Sequence, residues 1–131
     1  MGQNSGLMNT RYLVDTDILI DYLRGYEKAL LFIGKYQNHM AFSAITVSEI
    51  YTGTRGSETA RMDEFIFLFP VLPVTLEIAR LSGQYKQQFD PLTGLSLADA
   101  VIAATAEIHS LQLKTRNIKH YPMLKNLKPA Y

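Results

Sequence analysis

The sequence has 131 residues, 47% of them hydrophobic, so its length and composition fit one domain with an apolar core. It contains no cysteine, which excludes a disulfide framework, a thiolate zinc site and a cysteine nucleophile, and favours a reducing cytoplasm. The formal net charge of +1 gives no global attraction to nucleic acid, and no apolar run approaches the roughly 20 residues that span a membrane.

Residues 1–10 are predicted to be an N-terminal tail that precedes a single domain formed by residues 11–131. The segment from Met1 to Leu7 lacks the basic flank and the apolar stretch of a signal peptide. Met8 is an equally good start of the chain.

From residue 11 onwards, the pattern alternates between strands and helices. Residues 11–14 form a short β-prone run, and apolar residues then recur at helical spacing until Gly25. A second helix is predicted for residues 27–36, a strand for residues 40–42, and a helix for residues 43–51 that is closed near Gly53.

The second half of the chain continues this alternation. Helices are predicted for residues 58–69, 76–89 and 97–109. A strand at residues 71–74 can lie only at an edge or end because of Pro73, whereas residues 111–114 are predicted to form a central strand. The alternation predicts an α/β fold with a mostly parallel sheet that is covered by helices on both faces.

Three acidic residues stand near predicted strand-to-helix junctions, and each also has a local explanation. Asp15 can cap the first helix, Glu49 completes the capping-box pattern Thr46-Val-Ser-Glu49, and Asp99 completes Ser96-Leu-Ala-Asp99. A purely local role fits Asp99 least well, because it is the only charge before Glu107 in an otherwise apolar helix.

The shared placement of these acids predicts that they face one another, because the carboxyl ends of parallel strands line one crevice. Carboxylates 4 Å apart repel by about 4 kcal/mol per pair at an effective dielectric of 20, and a bound cation would remove that cost. Oxygen ligands favour Mg²⁺ or Mn²⁺, and zinc is disfavoured because His39, His109 and His120 lack ligand spacing. Such an ion supports phosphodiester hydrolysis without a nucleophilic side chain.

Three segments resemble motifs of the PIN-domain nucleases, and most of all those of VapC-type toxins of bacterial toxin–antitoxin pairs. They are Val-Asp15-Thr-Asp-Ile-Leu-Ile-Asp21-Tyr-Leu, Ser48-Glu49-Ile, and Leu97-Ala-Asp99-Ala-Val-Ile-Ala-Ala. The resemblance implies a three-layer α/β/α PIN domain with four or five sheet strands and a Mg²⁺ or Mn²⁺ site. It also implies endoribonuclease activity, homodimers, and inhibition by a small VapB-like antitoxin protein.

Carried over by position, the resemblance assigns metal binding and catalysis to Asp15, Glu49 and Asp99, and a fourth catalytic position to Asn117. The supporting polar residues are Asp17, Thr16 and Thr115. In the loop after the last strand, Asn117 replaces an acid that many members carry, and His120 stands where another carboxylate occurs. An amide can hold a water or a phosphate, but the lost charge should weaken a second ion. His120 either protonates the leaving oxygen or is a surface histidine without such a role.

The end of the chain is basic, because no acidic residue follows Glu107. Contacts with RNA are predicted for Lys114, Arg116, Lys119 and His120. The alternative is a solvated terminus that only improves solubility. The first two helices carry an aromatic strip that either belongs to the core or receives an antitoxin, formed by Tyr22, Tyr26, Phe32 and Tyr36.

The leading hypothesis is therefore a metal-dependent endoribonuclease toxin directed at single-stranded RNA. A catalytically silent PIN-like module that binds RNA or protein is the alternative. A phosphoacceptor receiver domain is disfavoured, because the strand candidates at residues 40–42 and 71–74 supply no acceptor aspartate. No Gly-rich phosphate loop follows a strand, which disfavours nucleotide-binding enzymes.

Overall fold

A computed structural model describes residues 9–131 of the protein. Within them, the strands are β1 (Tyr12–Val14), β2 (Met40–Ser43), β3 (Val71–Leu72) and β4 (Gln112–Lys114). The α-helices are α1 (Thr16–Leu23), α2 (Glu27–Tyr36), α3 (Ala44–Gly53), α4 (Ser57–Ile66), α5 (Leu76–Thr93) and α6 (Leu97–Ile108). Short 3-10 turns lie at Gln37–His39 and Ile118–His120.

The four strands form one parallel sheet in the order β3-β2-β1-β4, which confirms the predicted sheet. Leu13 of β1 pairs with Ala41 on one side and with Leu113 on the other. β3 lies at an edge, as Pro73 requires. The prediction of a central position for residues 111–114 was wrong, since β4 forms the other edge. Only its middle residue, Leu113, is buried, and the exposed Gln112 beside it suits an edge strand.

Helices cover both faces of the sheet, which confirms the three-layer α/β/α architecture. Val14 faces one layer, where it packs in a cluster with Ile18 of α1 and Ile33 of α2. The adjacent Leu13 faces the other layer and packs against Ile102 of α6. Successive strand residues point to opposite faces, so β1 belongs to two apolar cores at once.

The ends of two helices differ from the predictions. α4 ends at Ile66 rather than at residue 69. α5 continues beyond residue 89 to Thr93 and contains Pro91 in its last turn, where a missing backbone N–H interrupts only the end of the helix. Gly94 ends α5 in a left-handed conformation with φ of 66°, and its N–H donates to Asp90 O at 2.8 Å.

The aromatic strip of the first two helices is mostly core. The side chain of Phe32 is buried, and Tyr22 and Tyr36 pack against the same cluster. Tyr26 is the exposed member, at 44%.

Most of the predicted N-terminal tail, at residues 1–8, lies outside the described residues. The described part of the tail touches the domain, because His39 Nδ1 donates to Asn9 O at 2.8 Å. Between residues 9 and 131, every helix is too short or too polar to cross a membrane.

Candidate active site

Asp15 stands where β1 ends and α1 begins, and it caps that helix as predicted. Its backbone is extended, and its Oδ1 accepts a hydrogen bond from Thr16 N at 2.7 Å. Its own N–H donates to Lys114 O of the neighbouring strand at 2.9 Å. The residue is only 6% exposed, so capping fixes a carboxylate inside the protein and leaves Oδ2 for other partners.

Two hydroxyl groups from the end of the chain occupy Oδ2 of Asp15. Tyr121 OH donates to it at 2.7 Å, and Thr115 Oγ1 donates at 2.9 Å. The Tyr121 hydroxyl also lies 3.2 Å from Asp99 Oδ1. A single tyrosine hydroxyl therefore joins the two aspartates that sequence reasoning placed at the site.

Asp99 lies in the first turn of α6, and Ser96 caps this helix as predicted. Ser96 Oγ accepts from Asp99 N at 3.0 Å, so the cap uses the backbone of Asp99 and not its carboxylate. Asp99 Oδ2 is 3.5 Å from His120 Nδ1, and the other ring nitrogen of His120 is 3.3 Å from Asn117 Nδ2. The loop after β4 thus places His120 and Asn117 beside Asp99.

Glu49 does not open a helix, so its capping-box explanation was wrong. α3 begins at Ala44, and Ser43 Oγ is the cap that accepts from Ile45 N at 3.1 Å. Glu49 lies in the second turn, where its Oε1 accepts from Thr16 Oγ1 at 2.6 Å. Since Thr16 follows Asp15 directly, Glu49 joins the same hydrogen-bonded cluster from the side of α3.

Asp17 is a second acid at the start of α1, and its side chain is half-buried. Its Oδ2 accepts from Arg116 N at 3.0 Å and lies 3.2 Å from Thr115 Oγ1. Its Oδ1 is buried without a hydrogen-bond partner. Asp17 therefore keeps one carboxylate oxygen that nothing in the described chain satisfies.

Burial makes these acids hard to ionise. Burial and, to a smaller extent, the nearby charge of Asp17 raise the pKa of Asp15 to about 7, although the hydrogen bonds from Tyr121, Thr115 and Thr16 act in the opposite direction. Burial also raises the pKa of Asp17. The pKa of the Tyr121 hydroxyl is raised by burial and by both site aspartates, so this group stays a hydrogen-bond donor.

The site offers the oxygen donors that a hard divalent ion prefers. Across residues 9–131, no three Asp, Glu or His side chains converge closely enough to hold an ion by themselves. Mg²⁺ is commonly bound by one or two carboxylates and keeps several waters, so it does not need such a cage. The unpartnered Asp17 oxygen and the raised pKa of Asp15 are properties of carboxylates that lack a cationic partner, and the residues present fit such an ion.

The four predicted RNA-contacting residues occupy different environments. Lys114 places its ammonium group 5.0 Å from the ring centre of Tyr12, and the side chain of Lys119 is exposed. Arg116 Nη1 donates to Asp21 Oδ2 at 2.8 Å, and Tyr131 OH donates to the same oxygen at 2.7 Å. His120 alone among the four lies against a predicted catalytic acid.

Sequence reasoning missed the contributions of Tyr121 and Tyr131. In the sequence, Tyr121 is recognisable only as the last residue of a loop. In the structure its ring is buried in the core, at 1% exposure. A buried tyrosine needs a partner for its hydroxyl, and that rule was the available signal. It does not say which acid the hydroxyl reaches, because the partner lies 106 residues away in the sequence.

Comparison with known proteins agrees with this geometry. The family model described as PIN domain matches residues 12–121. The chain belongs to the PIN domain family. This PIN domain is 35% identical over 122 residues to Ribonuclease VapC10 of Mycobacterium tuberculosis, covering 91% of this chain and 92% of that protein. It is 33% identical over 123 residues to Ribonuclease VapC19 of the same species, covering 91% and 98%.

Solved structures contain the same fold. A chain of a toxin–antitoxin complex from Klebsiella pneumoniae matches with a TM-score of 0.80 and 30% sequence identity, covering 92% of this PIN domain and 98% of that chain.

Proposed function

We propose that this PIN domain is a Mg²⁺- or Mn²⁺-dependent endoribonuclease of the VapC type that acts as a toxin. The hydrogen-bonded cluster that joins Asp15 to Asp99 through the Tyr121 hydroxyl carries the proposal. It brings together Asp15 at the start of α1 and Asp99 at the start of α6. Capping of the two helices alone would not require these acids to lie close together. The identity to proteins named as ribonucleases over nine-tenths of the chain supports the same activity.

We assign ion binding to Asp15, Glu49 and Asp99, with Asp17, Thr16 and Thr115 as supporting residues. When bound, a divalent ion polarises a phosphate oxygen and lowers the pKa of water, which is the chemistry that phosphodiester hydrolysis needs. Thr16 and Thr115 hold Glu49 and Asp15 by hydroxyl donation, so the carboxylates stay oriented. The domain over residues 11–131 acts as one unit in this proposal.

The loop after β4 supplies the remaining polar groups. Asn117 N donates to Thr115 Oγ1 at 3.1 Å. Asn117, which we assign to the fourth catalytic position, is thereby linked to the threonine that holds Asp15. We assign proton donation to the leaving oxygen to His120, and its position between Asn117 and Asp99 supports this role. Arg116 and Lys119 lie exposed on the same loop and provide positive charge for phosphate.

We further propose that the protein works in the cytoplasm as a homodimer and that a small VapB-like antitoxin neutralises it. The match to a chain of the Klebsiella pneumoniae toxin–antitoxin complex, at 30% identity, supports an antitoxin partner. The absence of cysteine from the chain suits a reducing compartment.

Cleavage of RNA by the purified, antitoxin-free protein tests the activity. Asp99→Asn is expected to reduce cleavage about 100-fold or more while the fold survives, because it removes a carboxylate charge from the ion site. Asp90→Asn is the matched control, since Asp90 pairs with Lys86 on the surface of α5 and should keep full activity. Retained cleavage in Asp99→Asn contradicts the assignment, and EDTA should abolish cleavage by the wild type.

Thermal unfolding with and without millimolar Mn²⁺ separates the ion site from catalysis. An ion that binds only the folded state raises its stability by about 2.7 kcal/mol at 100 times its Kd, and Asp99→Asn should lose this gain. Stabilisation by Mn²⁺ without cleavage of any RNA would instead identify a catalytically silent binding module.

A further inference from the structure

An open groove of about 460 Å³ lies along the outer side of α2, beside the last residues of the chain. We call it the α2 groove, and it is lined by Lys28, Leu31, Phe32, Lys35, Tyr36, Ala130 and Tyr131. The lining contains two lysines and no acidic side chain. None of the roles assigned to the ion site uses this groove.

Positive charge at the groove is uncompensated. Within residues 9–131, no acidic side chain forms an ion pair with Lys28, Lys35 or Lys114. Lys114 lies 5.6 Å from the ring centre of Tyr36, and Lys35 lies 5.3 Å from it. The ammonium groups of Lys35 and Lys114 therefore lie near the Tyr36 ring, Lys28 lines the same groove, and all three are available to a polyanion.

The groove also offers apolar and aromatic surface between these charges. Leu31 is 65% exposed although it stands among the lysines of the same helix face. The rings of Tyr36 and Tyr131 are half-buried, so each keeps part of its surface accessible. Lys28 and Lys35 are seven residues apart, which places them on one face about 10 Å apart along the helix.

The end of the chain that lines the α2 groove contacts the loop that carries part of the candidate active site. Ala130 N donates to the backbone O of Thr115 at 2.8 Å, and the hydroxyl of the same threonine donates to Asp15. The guanidinium of Arg116 lies 6.0 Å from the ring centre of Tyr131, while its backbone N–H donates to Asp17. An RNA strand that runs from the carboxylates past Arg116 would therefore reach Tyr131, which lines the groove.

We propose that the α2 groove binds the single-stranded RNA that flanks the cleaved phosphodiester, an inference that rests on the proposed ribonuclease activity. Lysines along a groove neutralise successive phosphates, and aromatic rings between them accept bases without sequence preference. An acidic polypeptide would satisfy the lysines too. The contacts of Arg116 with both Tyr131 and Asp17 favour RNA, because a substrate strand bound at the carboxylates lies close to Arg116.

Binding of a fluorescein-labelled 20-nucleotide oligouridine to the full chain tests this inference. Asp99→Asn provides the background, so that the RNA stays intact. Adding Lys28→Ala and Lys35→Ala should weaken binding about tenfold and lower the salt slope of log K by about 1.4, which is the loss of two phosphate contacts. Both lysines are exposed, so the fold should be retained.

The matched control is the double variant Arg80→Ala and Lys125→Ala, which also removes two exposed positive charges. Arg80 lies in α5 and Lys125 lines a different pocket, so neither residue belongs to the α2 groove. It should bind the RNA as the parent does. In the active protein, Lys28→Ala with Lys35→Ala should raise the KM for the 20-mer, which a general loss of folded enzyme does not do.

Each outcome has a distinct meaning. Equal RNA affinities for the groove variant and the charge control overturn the role of the groove while leaving the ribonuclease intact. An equal loss of affinity for a polyglutamate peptide also overturns it, because the groove then serves acidic polypeptides. No cleavage of any RNA by the wild type with Mn²⁺ overturns the proposed function itself.

Discussion

The carboxyl group of Asp15 couples the stability of this domain to pH. Its pKa is raised from 3.8 to about 7, chiefly by burial and then by the charge of Asp17. Between these values the folded chain holds a proton that the unfolded chain has released. In metal-free protein, the free energy of unfolding is therefore expected to fall as the pH rises from 4 to 7, by at most about 4 kcal/mol from this group.

Urea unfolding in EDTA across this pH range measures the effect. Asp15→Asn cannot ionise and should flatten most of the slope, whereas the surface variant Asp90→Asn should keep it. Identical slopes in wild type and Asp15→Asn would show that Asp15 is not the responsible group. A divalent ion competes with this proton, so Mn²⁺ stabilisation should increase from pH 5 to pH 8.

Tyr121 positions the two aspartates through one hydroxyl. Tyr121→Phe keeps the buried ring but removes the donor to Asp15 and the link to Asp99. We expect kcat to fall about 10- to 100-fold, as for other residues that orient metal ligands, with little change in the KM for RNA. The Mn²⁺ affinity, read from thermal shifts, should fall as well.

Tyr85→Phe is the control for this substitution. Tyr85 is a half-buried tyrosine beside the apolar cluster that contains Tyr121, and among the described residues no hydrogen bond joins its hydroxyl to the site. It should keep wild-type kcat. A Tyr121→Phe protein with wild-type kcat and Mn²⁺ affinity would contradict the positioning role.

The N-terminal cap of α6 involves a site residue, Asp99. Ser96 Oγ accepts from the backbone N–H of Asp99, so the cap fixes the turn that carries this acid. Ser96→Ala should cost about 1 kcal/mol of stability and should also weaken Mn²⁺ binding. Urea unfolding and Mn²⁺ titration measure the two effects separately.

Thr75→Ala provides the matched cap. Thr75 Oγ1 accepts from Ile78 N at 3.2 Å at the start of α5, and within residues 9–131 no hydrogen bond joins its side chain to a site residue. This variant should lose similar stability without loss of Mn²⁺ affinity. If both variants bind Mn²⁺ equally well, the cap of α6 serves the helix alone.

Local patterns explain which elements the sequence predicts. α2 has the predicted bounds because its apolar spacing is unambiguous and Gly25 precedes it. The end of α5 was missed because Pro91 signals a stop, whereas the helix ends only where Gly94 permits a left-handed residue. The position of β4 was missed because strand order depends on pairing, which an apolar run does not reveal.

In the candidate site, too, local features were predicted and long-range contacts were not. Asp15, Glu49 and Asp99 were predicted from their motifs and their places near helix starts, both of which are local in sequence. Their links through the side chains of Thr16, Thr115 and Tyr121 depend on orientation and on contacts across most of the chain. Only the assembled sheet shows these links.

For the whole molecule, the two apolar cores share one sheet and should unfold together. Leu13 faces one core and Ile33 belongs to the other. Leu13→Ala and Ile33→Ala should each cost about 2–5 kcal/mol and shift the same transition. Far-UV circular dichroism and tyrosine fluorescence should give coincident urea curves. Two separate transitions would contradict a single domain over residues 11–131.

The contact of Asp15 with Tyr121 also sets when the site can form during synthesis. The carboxylates at residues 15, 17, 49 and 99 are all translated before Thr115 and Tyr121, which hold Asp15. Chains grow at about 5–20 residues per second, so the last hydroxyl follows Asp15 by about 5–20 seconds. A nascent chain, or one released before residue 115, therefore lacks the assembled cluster, and the site can form only after Tyr121 has been synthesised.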